Sequence, residues 1–310
     1  MPKVSVIIPV FGVERYIERC ARSLFEQTLD DIEYLFIDDC SPDRSIEILK
    51  SVLDEYPNRR SQVTIHRMAQ NSGQAAVRKW GILNATGDYL IHCDSDDWVD
   101  VTIYEKMYQK AIRENADMVV CGYYISDGSK KLSSKPGYLS ERKQQYLEDL
   151  FYQKVEWPLW NRLVHKRICQ KNILHPKGNM GEDMVLTLQY TVLSEKILFV
   201  DECLYYYFNN PQSITHTRAI ESIIYIYMQS CENIIILNKA IGNNNDNIIK
   251  NGLQWLSFRA SNTLLECIGD KKVRLLWRNH FSGRNKQFLL HPHISILRKI
   301  RHIYLIIRYL

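Results

Sequence analysis

Residues 88–97 read Asp-Tyr-Leu-Ile-His-Cys-Asp-Ser-Asp-Asp, a short apolar run that stops on three carboxylates in four positions. An apolar run of this length is the pattern of a buried strand. In open α/β sheets, ligands bind beyond the carboxyl ends of the strands. The acids Asp94, Asp96 and Asp97 fall at such an end. The same arrangement stands upstream, where Ile32–Ile37 ends in Asp38-Asp39. Two acidic clusters would then face one crevice. That is a poor place for bare anions and a good place for a hard divalent cation.

Working outward, strand and helix patterns alternate. Lys3–Pro9 is a β-branched run closed by proline, and residues 14–28 carry Ile17, Ala21, Leu24 and Phe25 at helical spacing. Ser41-Pro42 has the form of an N-cap with proline at the first helical position. A strand is expected over 62–67, a helix over 73–85, a helix over 102–114 and a strand over 117–122. Such alternation predicts a mostly parallel sheet with helices on both faces. The second half is less regular. Residues 128–136 form a polar loop. Helices are expected over 141–152, 158–171 and 183–194, and strands over 196–200 and 203–208. From about 217 the pattern is helical, with an Asn-rich break at Asn243–Asn247.

The chain has 310 residues, 45% hydrophobic and 24% charged. These values exclude a disordered or collagen-like chain. Eight cysteines contain no C-x-x-C pair, which argues against zinc knuckles and thioredoxin chemistry. The N-terminal residues run directly into a strand pattern, so no secretory signal and a reduced, cytoplasmic compartment are expected. The net charge of +5 is unevenly spread. Residues 271–310 hold ten Lys and Arg and no acid, leaving 30 basic against 35 acidic residues before them. A basic end of this kind suits an anionic surface.

Val4-Ser5-Val6-Ile7-Ile8-Pro9-Val10-Phe11, Gln27-Thr28-Leu29, Ile37-Asp38-Asp39-Cys40-Ser41, Asn71-Ser72-Gly73 through Arg78 to Gly81, and Thr86-Gly87-Asp88-Tyr89 with the acids after it stand in a fixed order. In that order and spacing the chain resembles family 2 inverting glycosyltransferases with a GT-A fold, across roughly residues 3–125. More weakly, Trp160-Asn161-Arg162-Leu163, Gly181-Glu182-Asp183 and Tyr205–Thr215 resemble acceptor-side features of bacterial polysaccharide members. The resemblance implies a catalytic domain over 1–215, with donor binding in about 1–125 and acceptor binding in about 126–215. A helical region over 216–310 follows.

Roles follow from the resemblance by position. Pro9 and Asp39 would contact the nucleotide base, and Arg78 the base or phosphates. Asn71, Gly73 and Ser95 would belong to the nucleotide-sugar site. Asp94 would face the ribose or a metal water, and Asp96 would hold Mn²⁺ or Mg²⁺, helped by Asp97 and by His216 from a late loop. Cys40 replaces a usual glycine, Gly12 a common asparagine and Lys79 another.

Glu182-Asp183 is the candidate catalytic pair. Inversion needs a carboxylate opposite the leaving diphosphate to take the acceptor hydroxyl proton. The resemblance favours Asp183. Two acids in a first helical turn also complement the helix dipole. Trp157 and Trp160 are at once candidate sugar-stacking rings and candidate core. Ile296, Ile300, Ile303, Ile307 and Leu310 share one face of a C-terminal helix with Arg298, Arg301 and Arg308 to its sides. About 20 apolar residues are needed to cross a bilayer, so the segment reads as an interfacial helix on an anionic membrane. The alternative is a helix packed on the protein with a solvated basic face. No nucleic-acid motif accompanies the charge.

The expected activity is metal-dependent transfer of a sugar from a nucleoside diphosphate donor, a UDP-sugar, to a hydroxyl of a glycan or lipid-linked glycan in cell-surface polysaccharide synthesis. A nucleotidyltransferase on a similar fold is one alternative. It would need a Gly- and Arg-rich loop after the first strand, and residues 9–16 are poor for that. A non-catalytic nucleotide-sugar or membrane scaffold is the other.

Overall fold

The computed structural model describes residues 1–138, 142–209, 219–244, 246–281 and 283–309. The elements of the first half are β1 (Val4–Val10), α1 (Ile17–Phe25), β2 (Ile32–Asp38), α2 (Ser45–Asp54), β3 (Val63–Arg67), α3 (Gln74–Asn84) and β4 (Tyr89–His92). The four strands are all parallel, in the order β3-β2-β1-β4. The β-branched run of β1 is central and buried on both faces. One face takes α1, whose Ile17, Cys20, Ala21 and Leu24 repeat at helical spacing and are fully buried. The other takes α3. There Gly81 lets the helix approach so closely that an added Cβ would collide with Ile7 Cγ2.

Beyond β4 come β5 (Trp98–Val99), α4 (Ile103–Glu114), β6 (Met118–Ser126), β7 (Lys131–Lys135), α5 (Lys143–Phe151), β8 (Arg162–His165), α6 (Lys166–Cys169), α7 (Glu182–Leu193) and β9 (Ile197–Phe208). The sheet continues β4-β8-β6-β9-β5, with β7 paired to β6. β8 runs antiparallel to β4 and β6, β9 runs parallel to β6, and β5 closes antiparallel on β9. Only the turn Cys93–Asp97 separates β4 from β5 in sequence, yet three strands lie between them in the sheet. The sheet must therefore curl, and the acidic turn Asp94–Asp97 sits where the curl closes.

Several local expectations change. The helix expected over 158–171 is β8 followed by the short α6, because a slot between β4 and β6 offers two ladders of hydrogen bonds to this segment. Part of the polar loop over 128–136 is the exposed hairpin strand β7. The two strands expected over 196–208 are one strand, with a register shift opposite Gly122. Ser41-Pro42 does not start α2. The helix begins at Ser45, whose N–H and hydroxyl both donate to Asp43 Oδ1.

The C-terminal region is helical: α8 (Ile220–Ile241), α9 (Asn247–Thr263), α10 (Lys271–Phe281), α11 (Asn285–Leu290) and α12 (Ile296–Tyr309). It packs on α5 and α7. Gly252 of α9 lies flat on the Phe151 ring, with no room for a Cβ. α12 seats on the body through His302 and Leu305, both buried. Its opposite face leaves Ile296, Ile300, Ile303 and Ile307 between 42% and 79% exposed. Leu310 lies outside the described residues. Among the described residues, no helix is long and apolar enough to cross a membrane.

Candidate active site

Strand ends and helix starts gather the site. β2 delivers Asp38 and Asp39, both buried. Asp38 accepts from Ser41 N at 2.7 Å and pairs with Arg67 Nη1 at 2.7 Å. Asp39 accepts from the backbone N–H groups of Ser72 and Gly73, at 2.7 and 2.8 Å. The expected base-contacting carboxylate thus also shapes the Asn71–Gly73 loop that opens α3. Each of its oxygens keeps a second lone pair for a ligand. Gly73 needs its own identity: it has φ +81° and lies against the Asn179 side chain. Pro9 sits on β1 opposite Ile37 and is partly exposed.

The strand-to-helix loop after β2 explains a sequence oddity. Cys40, where glycine is usual, has φ +61°. A residue with a Cβ carries about 1–2 kcal/mol of strain there. Cys40→Gly is expected to raise stability by about 1 kcal/mol once the extra freedom of glycine in the unfolded chain is subtracted. A shift in the urea midpoint checks this. A lower midpoint would mean that the Cys40 Sγ contact to Met68 O, at 3.1 Å, outweighs the strain. Gly12, where asparagine is common, has φ +67°, a conformation both residue types accept.

The acidic turn divides its carboxylates between two tasks. Asp97 is buried, and each of its oxygens accepts one hydrogen bond: Oδ2 from the Tyr205 hydroxyl at 2.6 Å and Oδ1 from Phe208 N at 2.6 Å. Burial, with Asp96 and Asp94 nearby, pushes its pKa well above the ordinary carboxylate range. Asp97 therefore ties β9 to the turn, and each of its oxygens, like those of Asp39, keeps a second lone pair. Asp94 and Asp96 are partly exposed. Arg19 Nη2 donates to the Asp96 carbonyl at 2.9 Å and its guanidinium stacks on Trp98, 3.8 Å from the ring centroid. Ser95 is buried beneath them. His216 lies outside the described residues.

Arg78 joins this turn to the acidic pair. It is buried on α3, donates from Nη2 to Asp94 Oδ1 at 2.8 Å and brings Nε to 3.6 Å from Glu182 Oε1. Its Nη1 is buried without a hydrogen-bond partner. Glu182 and Asp183 form the first turn of α7, after Gly181 in the left-handed conformation. Burial pushes the Glu182 carboxyl up to about 7, against the opposing charge of Arg78. Burial also raises Asp183, opposed by the Met184 N–H at 2.7 Å and by Arg78 and Arg162. The two carboxylates differ in access. Glu182 is buried against Arg78, whereas Asp183 is partly exposed and only its Oδ1 meets a donor among the described residues.

Trp157 and Trp160 are core rings. Trp157 donates to Leu150 O and Trp160 stacks on Tyr205 at 4.1 Å. The exposed ring on that side is Tyr207, stacked behind by Trp160. Sequence reasoning assigned no role to Arg19 or to Tyr205 alone. The Tyr205 hydroxyl accepts from Asp94 N at 3.1 Å while donating to Asp97. Neither carries a local signal, since each acts across the curl of the sheet.

Among the described residues, no three His, Cys, Asp or Glu side chains converge as a metal cage. Mg²⁺ and Mn²⁺ suit a different donor set, one or two carboxylates completed by diphosphate oxygens and water. The hard oxygens of Asp94 and Asp96, partly exposed at the carboxyl end of β4, fit that set.

The chain is similar to known proteins in sequence and in fold. Residues 5–173 match Glycosyl transferase family 2. The uncharacterized glycosyltransferase EpsJ of Bacillus subtilis is 31% identical over 223 residues, covering 69% of this chain and 63% of EpsJ. The chain thus spans less than two thirds of that relative. Among solved structures, S. aureus TarS 1–349 in complex with UDP-GlcNAc superposes with a TM-score of 0.72 at 16% identity, over 92% of this chain and 81% of TarS 1–349. The mannosyltransferase PcManGT of Pyrobaculum calidifontis, in complex with GDP-Man and Mn²⁺, gives 0.55 at 14% identity over 98% and 85%. These two likenesses are of fold, a curled α/β sheet flanked by helices.

Proposed function

Since this chain belongs to glycosyl transferase family 2, we propose that it moves a sugar from a nucleoside diphosphate donor, a UDP-sugar, to a hydroxyl of a glycan or lipid-linked glycan, with inversion at the anomeric carbon. One observation carries the reading. Arg78 links Asp94 of the β4 turn to Glu182 of the α7 pair, which supports a reading in which the donor-side acids and the Glu182-Asp183 pair serve one site.

In this reading the base rests against Pro9 and Asp39, on the loop that Asp39 holds through Ser72 and Gly73. Asp94 and Asp96 would hold Mn²⁺ or Mg²⁺, which supplies charge neutralisation to the leaving diphosphate when bound. The buried Nη1 of Arg78 is a donor awaiting an acceptor, and a diphosphate oxygen fits it. Asp183 takes the acceptor O–H proton as the new carbon–oxygen bond forms and the bond to the diphosphate breaks. The complex of TarS with UDP-GlcNAc supports a uridine donor. The complex of PcManGT with GDP-Man and Mn²⁺ supports the metal.

The experiment is a screen of the purified chain against nucleotide sugars with Mn²⁺, read by thermal shift and by the product released. Release of a nucleoside diphosphate supports transfer or donor hydrolysis. Pyrophosphate from a nucleoside triphosphate would instead mark a nucleotidyltransferase. Binding with no release would mark a scaffold.

The reading also places the protein at an anionic membrane through the exposed isoleucine face of α12 and the cations Arg298, Lys299, Arg301 and Arg308. Each such cation contributes about 1 kcal/mol near an anionic surface, screened by salt. Truncation is the wrong test, because His302 rests on Phe281 and Phe288. Ile300→Ser with Ile307→Ser removes only exposed apolar surface. This pair is expected to weaken co-sedimentation with anionic vesicles about tenfold or more while leaving the melting temperature unchanged. Equal sedimentation of variant and parent would remove the membrane from the reading.

A further inference from the structure

A cavity of about 830 Å³ opens within the helical region, between α8, α9, α10 and α11, and no residue of the candidate active site lines it. The volume is that of a small-molecule site. Its floor is apolar and buried, built from Leu253, Phe258, Phe281 and Phe288. Its rim carries Lys250 and Arg284, both exposed, among several Asn and Gln side chains. Among the described lining residues there is no Asp or Glu. Neither rim cation has an ion pair among the described residues, and the last 40 residues of the chain contain no acid at all.

Two buried histidines line it, His280 and His291, and both are engaged, His291 Nε2 lying 2.9 Å from Asn251 O. His280 meets Ser257 Oγ through Nε2 at 3.2 Å and the Tyr227 hydroxyl through Nδ1 at 3.0 Å. Burial lowers its pKa to about 4, so it is neutral at physiological pH. The floor thus presents aromatic and aliphatic surface without charge, and the rim presents uncompensated positive charge. The same aromatic rings seat the C-terminal helix: His302 of α12 packs on Phe281 at 4.2 Å and on Phe288 at 4.1 Å. The outer face of that helix is the exposed isoleucine stripe. The cavity floor and the seat of α12 thus share the Phe281 and Phe288 rings.

We propose that this cavity binds the headgroup end of an anionic lipid, with a phosphate between Lys250 and Arg284 and the first methylenes of the chain on Phe258, Phe281 and Phe288. Two cations and a ring of carboxamides satisfy phosphate oxygens, and the aromatic floor takes the methylenes out of water. The site goes beyond the transfer reaction, since it requires neither donor nor metal. Its failure would leave the glycosyltransferase reading untouched.

The test is calorimetry of the full chain with three probes: dodecyl phosphate below its micelle concentration, inorganic phosphate, and dodecyl maltoside. One dodecyl phosphate per chain is expected, at least about tenfold tighter than either other probe. Tight binding of inorganic phosphate alone would leave the floor unused and overturn the proposal. Equal binding of dodecyl maltoside would remove the role of charge and overturn it too. Lys250→Gln with Arg284→Gln, both at exposed positions, should weaken dodecyl phosphate about tenfold or more with an unchanged melting temperature. Unchanged affinity in that variant overturns the assignment. The Ile300→Ser, Ile307→Ser variant should bind dodecyl phosphate as the parent does. If it does not, the probe sits on α12 and the cavity is not its site.

Discussion

Asp183→Asn is expected to keep donor affinity and to lose transfer by at least about 10²-fold, the lower end of what a positioned general base contributes. The change removes basicity and preserves shape. Asp183 Oδ1 is spent on the Met184 N–H, a contact the Asn carbonyl oxygen can repeat, so α7 keeps its first turn. The other oxygen is the one that would receive the acceptor proton. The pH profile separates this role from a merely structural one. The base must be ionised to act, and burial raises its pKa from the ordinary aspartate value of about 3.9. Transfer should therefore fall as pH is lowered, beginning at a higher pH than an exposed aspartate would give. Helix-dipole stabilisation alone would leave Asp183→Asn near normal in turnover with a lowered melting temperature. Near-normal turnover would move the base to Glu182, whose carboxyl, pushed up to about 7, already titrates in the neutral range.

The first half of the fold was legible because its signals are local. The apolar run of β1, the helical spacing in α1 and the Asp pairs that end two strands are written in consecutive residues. They agree with the parallel order β3-β2-β1-β4. The second half depends on what each segment meets. Arg162–His165 has no strong strand signal, yet it pairs on both sides between β4 and β6, and those ladders override local preference. β7 is five exposed residues, four of them polar, that exist as a strand because β6 offers an edge. The same division runs through the site. Asp39, Asp94 and Asp96 follow strands and could be named from order alone. That Asp97 belongs to Tyr205 and Phe208, or that Arg78 bridges Asp94 and Glu182, is decided by the curl of the sheet, which no window of sequence encodes. The isoleucine stripe of α12 was readable as a stripe. Which face would pack was settled by His302, a residue the apolar pattern does not count.

Asp96→Ala is expected to abolish metal-dependent donor binding and to lower transfer by roughly 10²–10³-fold, the scale of removing one group that stabilises developing charge. The leaving diphosphate gains negative charge as the anomeric bond breaks, at the carboxyl end of β4 where Asp94 and Asp96 already crowd the field. Without a cation that charge would meet two carboxylates. With one, the carboxylates and the phosphate oxygens share it. Asp96 is the better candidate for the primary contact. Asp94 shares its Oδ1 with Arg78 and Asp97 is buried, each of its oxygens accepting one hydrogen bond, while Asp96 is partly exposed with its backbone anchored by Arg19. Calorimetry of UDP with and without Mn²⁺ reads the effect directly. The parent should bind UDP more tightly with Mn²⁺, and Asp96→Ala should bind it equally with and without. The comparison that gives this meaning is Asp97→Asn. That variant weakens the contacts to Tyr205 and Phe208 and should lower the melting temperature while keeping the Mn²⁺ dependence of UDP binding. If instead Asp97→Asn loses the metal dependence in a folded protein and Asp96→Ala retains it, the two carboxylates have been assigned the wrong way round, and Asp97 meets the metal through the lone pairs that Tyr205 and Phe208 leave open.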